Sequence, residues 1–237
     1  MIPWQRLDQV SIPNQGGKLN LYRRDKEYSI RVDNYELMNS RVHGSEEILA
    51  EQTCARVGRR PEPRILIGGL GMGFTLMATL KTCVPEAEII VAELIPTVIE
   101  WNKNYLGELN EYALKDKRTT ILELDVARLL RDPEQRFDAI LLDVDNGPNA
   151  MTQKRNNWLY TLPGLQAAHD SLTSRGVLGV WSTEPDRAFG KRLRTIGFKM
   201  KELSVRARRN KGAHHTIWLA EKVASKKKRI HTKPSFS

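Results

Sequence analysis

Cysteine is nearly absent: the 237-residue chain has two, Cys54 and Cys83. Neither belongs to a CxxC pair or to a metal-ligand spacing, so a disulfide framework and a structural zinc site are not expected. Both read as reduced thiols buried on helices of a cytoplasmic protein. No stretch approaches the ~18 apolar residues of a membrane-crossing helix. The opening Met1-Ile2-Pro3-Trp4-Gln5-Arg6 has no apolar core of the kind that directs export. No RNP, zinc-finger or helix-turn-helix pattern is present, which leaves no dedicated nucleic-acid reader. His214-His215 has no third ligand nearby and reads as a pair on a strand edge rather than a metal site. Internal repeats are also missing.

What is present suits a globular α/β chain, with 40% apolar and 28% charged residues. The net charge of +10 is unevenly placed. Six cations and no acids follow Glu221 (Lys222, Lys226, Lys227, Lys228, Arg229, Lys233), so the rest carries 10 − 6 = +4. Residues 222–237 read as a disordered basic tail that solubilises the chain or makes weak, nonspecific contact with nucleic acid. Arg206-Ala207-Arg208-Arg209-Asn210-Lys211 is a second basic stretch, read as a solvated turn. Folded over a binding cleft it would disfavour a polycation.

Residues 1 to about 17 are polar and punctuated by Gly and Pro. Leu19–Arg23 and Tyr28–Val32 alternate with period two around the turn 24–27, which predicts a β-hairpin, with Glu36-Leu37-Met38 as a candidate third strand. Ser45, followed by Glu46 and Glu47, reads as the N-cap of a helix over 45–55. With the linker Gly58–Pro63, this makes an N-terminal unit of residues 1–60. Residues 61–221 then alternate strand and helix, which predicts a Rossmann-like, doubly wound, mostly parallel seven-stranded sheet. The last two strands, 200–206 and 216–220, have no helix between them and place an antiparallel strand at one edge.

The first strand of this domain, Arg64–Ile67, runs into Gly68-Gly69-Leu70-Gly71-Met72-Gly73 and then a helix from Phe74. Such a turn gathers unpaired N–H groups and the positive helix end at one spot, and its glycines admit positive φ and close approach of a ligand. The spacing is GxGxG, not the GxGxxG of the dinucleotide fingerprint. Ligands of such sheets bind beyond the carboxyl ends of the strands. Here those ends carry acids: Glu93, ~20 residues past the glycines where ribose hydroxyls are held, then Asp125, Asp143 and Asp145. Together they point to a nucleoside-bearing ligand.

This order of GxGxG, Ala92-Glu93-Leu94, Asp125 and Phe137–Asp143 followed by Gly147-Pro148 resembles class I S-adenosylmethionine-dependent methyltransferases. It is most similar to the spermidine synthases, polyamine aminopropyltransferases of the same fold, over about residues 28 to 220. The resemblance implies S-adenosylmethionine or its decarboxylated form as cofactor. Gly69, Leu70, Gly71 and Gly73 would hold its aminoacyl or aminopropyl end, Glu93 and Leu94 the ribose, and Asp125 with Val126 the adenine. Asp143 would accept a proton from the attacking amine, which is nucleophilic only once deprotonated. Asp145, His43, Trp158 and Tyr160 are candidate contacts of the amine substrate. Packing at a helix N-terminus for His43 and aromatic packing on the sheet for Trp158 and Tyr160 stand as alternatives. The synthases carry an aspartate where Gly71 stands, a longer N-terminal domain, and a longer loop after the fourth strand. They are commonly dimers, so a homodimer is expected. Methyl transfer at the same cofactor site is the alternative activity, and a non-catalytic homologue that binds the cofactor or nucleic acid is a third reading.

Overall fold

The computed structural model describes residues 2–12, 17–58, 60–144 and 156–224. Asp145, Gly147-Pro148 and the tail beyond Ala224 therefore lie outside the described residues.

A seven-stranded sheet forms the body. In chain order it contains β5 (Arg64–Gly68), β6 (Glu88–Glu93), β7 (Thr119–Glu123), β8 (Phe137–Leu142), β9 (Leu172–Ser182), β10 (Phe198–Arg208) and β11 (Lys211–Lys222). Across the sheet the order is β10-β11-β9-β8-β5-β6-β7. The strands β9-β8-β5-β6-β7 run parallel, while β11 is antiparallel to both β9 and β10. The reversed strand thus sits one place in from the edge, which β10 occupies. The central strands are apolar on both faces because helices cover both. Ile65 and Ile67 of β5 point into the core beneath α1 (Gly44–Val57), α2 (Phe74–Thr82) and α3 (Pro96–Asn104). Leu66 points into the opposite core, under α4 (Val126–Arg131), α5 (Leu162–Ser171) and α6 (Arg187–Ile196).

Local chemistry fixes where the helices start. Asp125 caps α4 by accepting from the Ala127 N–H, and Asp186 caps α6 by accepting from Ala188 and Phe189 N–H. Ser45 departs from expectation. Helix α1 begins one residue earlier, at Gly44, and the Ser45 hydroxyl makes no cap. It is fully buried and is taken up by the side chains of its neighbour Glu46 and of the distant Trp181 and His215.

The N-terminal part is more than the expected hairpin. Strands β1 (Gln5–Ser11), β2 (Lys18–Arg24), β3 (Glu27–Val32) and β4 (Tyr35–Asn39) form a four-stranded antiparallel sheet in that order. β1 escaped the sequence reading because it is exposed along most of its length and lacks a clean apolar alternation. Its pairing with β2 shifts register between Arg6 and Asp8, so a period-two test fails there. Leu19, Leu21 and Ile30 from the inner face join the core on the α1–α3 side of the large sheet.

Candidate active site at the carboxyl ends of the strands

Strand order reverses between β5 and β8, and the site lies at that point. The glycine turn leaves β5 there. The Gly69 N–H donates to the Ala92 carbonyl of β6 at 2.9 Å, and the Asp143 N–H donates to the Gly68 carbonyl at 3.0 Å. Three strand ends are thereby laced together. Gly69 has φ +91°, and a Cβ there would collide with the Asp143 carbonyl. Gly73, φ +84°, would bring a Cβ within 2.6 Å of Asn110 Nδ2. Only glycine fits either place.

Two asparagines absent from the sequence reading hold the turn. Asn102 Nδ2 donates to the Gly71 carbonyl at 2.8 Å, and Asn110 Nδ2 donates to the Met72 carbonyl at 3.1 Å and to Asn102 Oδ1 at 2.7 Å. Both are almost fully buried. Asn102 stands on α3 and Asn110 in the loop beyond it, about thirty to forty residues from the carbonyls they bind, so no local pattern announces them.

Glu93, at the end of β6, is buried and turned onto the same turn. Its Oε2 accepts from the Leu70 N–H at 2.9 Å and its Oε1 from the Ile95 N–H at 2.8 Å. Burial pushes its carboxyl above the usual range, and the backbone N–H groups of Ile95, Leu70, Leu94 and Gly71 pull it back. A carboxylate has about four acceptor positions, so each oxygen keeps capacity for a ligand hydroxyl.

A cleft opens beside it, lined by Gly69, Gly71, Glu93, Leu94, Asp125, Val126 and Asp143 from the large sheet. Its roof is the small sheet, through Leu19, Ile30, Val32, Leu37 and Met38. A second space shares Leu37, Met38, Gly71 and Asp143 with the first. It adds Glu46, Phe74 and Trp181. Asp143 stands where the two meet. Thr75 Oγ1 donates to its Oδ2 at 2.5 Å. Burial raises the Asp143 carboxyl to about 6, against the lowering pull of that bond. Glu46 is raised further, to about 8, first by burial and then by the Asp143 charge beside it. Two enclosed carboxylates facing one cavity cannot both ionise easily. Glu46 was absent from the expected site residues because its place in a first helical turn reads as dipole complementation.

Among the described lining residues of both spaces, every charged side chain is an acid: Glu93, Asp125, Asp143 and Glu46. The basic turn does not reach them. Arg209 pairs instead with Glu47 at 2.8 Å and Glu51 at 2.5 Å on α1.

The remaining expected site residues are placed elsewhere. His43 stacks on Phe74, with ring centroids 4.1 Å apart, and its Nδ1 lies 3.0 Å from Glu47 Oε1, behind the cavity wall. Trp158 lies under the Arg131 guanidinium, 3.8 Å from its ring centroid. Tyr160 is buried edge-on to Phe189, and its hydroxyl donates to the Val144 carbonyl at 3.4 Å. Neither aromatic lines the two spaces, and Gly73 serves the turn from within the core.

Comparison with known proteins agrees with this architecture. Residues 52–186, more than half of the chain, match the family model of the spermine/spermidine synthase domain. A polyamine aminopropyltransferase of Saccharolobus solfataricus is 28% identical over 143 residues, covering 60% of this chain and 46% of the relative. One from Oceanobacillus iheyensis is 28% identical over 171 residues, covering 71% of this chain and 32% of the relative. The chain thus spans less than half the length of these two curated relatives. The crystal structure of Thermotoga maritima spermidine synthase superposes with a TM-score of 0.73 at 21% identity, over 93% of this chain and 74% of that one. A spermidine synthase structure with the transition-state analogue AdoDATO gives 0.71 at 20% identity, over 93% and 73%. These likenesses share the fold, and with the family match they place the molecule: the chain belongs to the spermine/spermidine synthase family.

Proposed function

We propose that this protein transfers an aminopropyl group from decarboxylated S-adenosylmethionine to an amine. The observation that carries the reading is the sign of the charge in the two joined spaces. In a chain of net charge +10, the only charged side chains among the described lining residues of the cleft are carboxylates. A donor with a sulfonium and a free ammonium fits such a lining, and so does an ammonium acceptor. The carboxylate of intact S-adenosylmethionine would meet no lysine or arginine among the described lining residues.

In this reading the remaining acceptor positions of Glu93 take the ribose diol, and Asp125 and Val126 border the adenine. Gly69, Leu70 and Gly71 shape the floor around the propyl arm, and Leu94 borders the ribose beside Glu93. Decarboxylated S-adenosylmethionine supplies a carbon already activated by the sulfonium, so the protein contributes position and deprotonation. Asp143 sits between the spaces, where an amine in the second would meet the donor in the first, and takes the amine proton as a general base. Its bond from Thr75 fixes the carboxylate, and its raised pKa brings its basicity nearer neutral pH.

Methyl transfer remains as a second reading on one observation. Gly71 offers no carboxylate to the donor ammonium, and Met38 Sδ would lie 3.3 Å from a Cβ placed there. Calorimetric titration with methylthioadenosine, S-adenosylhomocysteine and both donors separates the readings. Methylthioadenosine and decarboxylated donor should bind more tightly, with an aminopropylated diamine as product. Preference for S-adenosylhomocysteine would favour methylation, and no nucleoside binding would refute both. The reading includes a cytoplasmic setting, in keeping with the free thiols Cys54 and Cys83. It also includes a homodimer, and weak nucleic-acid contact through the tail. Among the described residues no helix is long and apolar enough to cross a membrane.

A further inference from the structure

Ser45 Oγ has three side-chain neighbours from different parts of the fold. It lies 2.6 Å from Glu46 Oε2 on α1, 2.8 Å from His215 Nδ1 on β11 and 3.0 Å from Trp181 Nε1 on β9. An indole N–H can only donate, and a hydroxyl has one proton to give. Trp181 therefore occupies one acceptor position of Oγ. The hydroxyl proton goes either to Glu46 or to His215, and the one it does not reach must itself donate to Oγ. When Glu46 is protonated and donates, Ser45 donates on to a bare His215 Nδ1. When Glu46 is ionised, Ser45 turns to it and His215 Nδ1 must carry a proton. The two ends are tied through one oxygen.

The ends face different surroundings. Glu46 lines the space it shares with Asp143, whereas His215 is only partly buried and packs edge-on to Trp181, 4.9 Å between centroids. His214, its neighbour in sequence, points the other way on the strand and meets Ser204 Oγ at 3.0 Å. The other charged groups around Glu46 are Asp143 in the shared cavity and Glu47 on its own helix, which pairs with His43 and Arg209.

We propose that Glu46, Ser45 and His215 form a proton exit from the acceptor cavity. The source of the proton rests on the aminopropyl-transfer reading. An alkylammonium must lose one N–H proton before its lone pair forms the new C–N bond. The C–S bond breaks with its electrons on sulfur, which cancels the sulfonium charge, and the product nitrogen keeps one positive charge. One proton per transfer is left over. Asp143 receives it and Glu46 takes it on. The Glu46 proton then moves to Oγ as the Ser45 proton moves to His215 Nδ1, and the imidazolium releases its Nε2 proton to solvent. Glu46 touches the acceptor space, whereas Ser45 and His215 act through it as positioning and relay residues.

The linkage is testable without turnover. In the full ¹⁵N-labelled chain, with the ring assigned through His215→Gln, His215 Nδ1 should pass from bare to protonated as pH rises through the Glu46 transition near 8. Glu46→Gln should abolish that passage, because an amide does not titrate. A His215 Nδ1 signal that does not change across this range, or that changes equally in Glu46→Gln, overturns the relay. In assays with decarboxylated S-adenosylmethionine and putrescine, His215→Gln should lower kcat about tenfold near neutral pH. It should leave methylthioadenosine affinity unchanged, and added imidazole should restore part of the rate in His215→Ala. An active wild type whose kcat is indifferent to His215→Gln also refutes the relay. A protein with the NMR linkage but no aminopropyl transfer would refute the function and leave the proton path standing.

Discussion

A carboxylate held in an enclosed pocket is a liability to the folded state once it loses its proton, and the signs for Asp143 and Glu46 follow from that. Their folded-state values, about 6 and about 8, lie above the ordinary carboxylate range. The native protein therefore binds more protons than the unfolded chain between about pH 4 and 8, and its stability falls as pH rises through that window. Above it both states are ionised and the cost of burying the charges is complete. Glu46→Gln should consequently raise Tm at pH 9 while changing it little at pH 5, as thermal melts in matched buffers would show. A variant less stable at both pH values would contradict this assignment. Activity should run the other way, since the cavity must hold a base. Asp143→Asn should reduce kcat by about 10²–10⁴-fold with methylthioadenosine affinity retained. Undiminished turnover would remove Asp143 from the chemistry.

The glycine turn between β5 and α2 works because distant side chains hold it. Asn110→Ala would strip the Met72 carbonyl and the Asn102 side chain of a buried partner. That change should cost about 1–3 kcal/mol of stability and loosen nucleoside binding, read by denaturant titration and calorimetry. Gly69→Ala is the sharper test of the turn itself, because a methyl group would strike the Asp143 carbonyl in a left-handed conformation. It should abolish nucleoside binding. The helix end of the turn was legible in sequence as glycine followed by an apolar helical run. The asparagine clamp was not, because its two residues sit on and beyond α3 and owe their role to tertiary proximity.

For the molecule as a whole, the small sheet does more than precede the large one. Its inner face joins the α1–α3 core; β3 roofs the first space through Ile30 and Val32, and β4 roofs both through Leu37 and Met38. Val32→Trp, a roof substitution at a half-buried position, should fill the first space and weaken methylthioadenosine binding at least about tenfold, or 1.4 kcal/mol. Tm should change little, and unchanged affinity would show that the nucleoside does not lie beneath β3. The basic character of the chain is kept away from this cleft: Arg209 is spent on Glu47 and Glu51.

Alternation of buried strands and helices over residues 64–220, the glycine spacing and acids at successive strand ends were readable in the sequence. Each is a local consequence of burial on two faces, of φ > 0, or of position at a strand terminus. They determined the doubly wound sheet, the edge that carries the candidate site, and the family. The sequence could not show that β1 closes a fourth strand, since register is set by pairing with β2 rather than by its own pattern. Nor could it show that Ser45 leaves its cap for Glu46, Trp181 and His215, or that Glu46 faces Asp143. Those contacts join residues more than a hundred positions apart in the chain, from Ser45 to Trp181 and His215, and only the packing of α1 against β9 and β11 brings them within hydrogen-bonding distance.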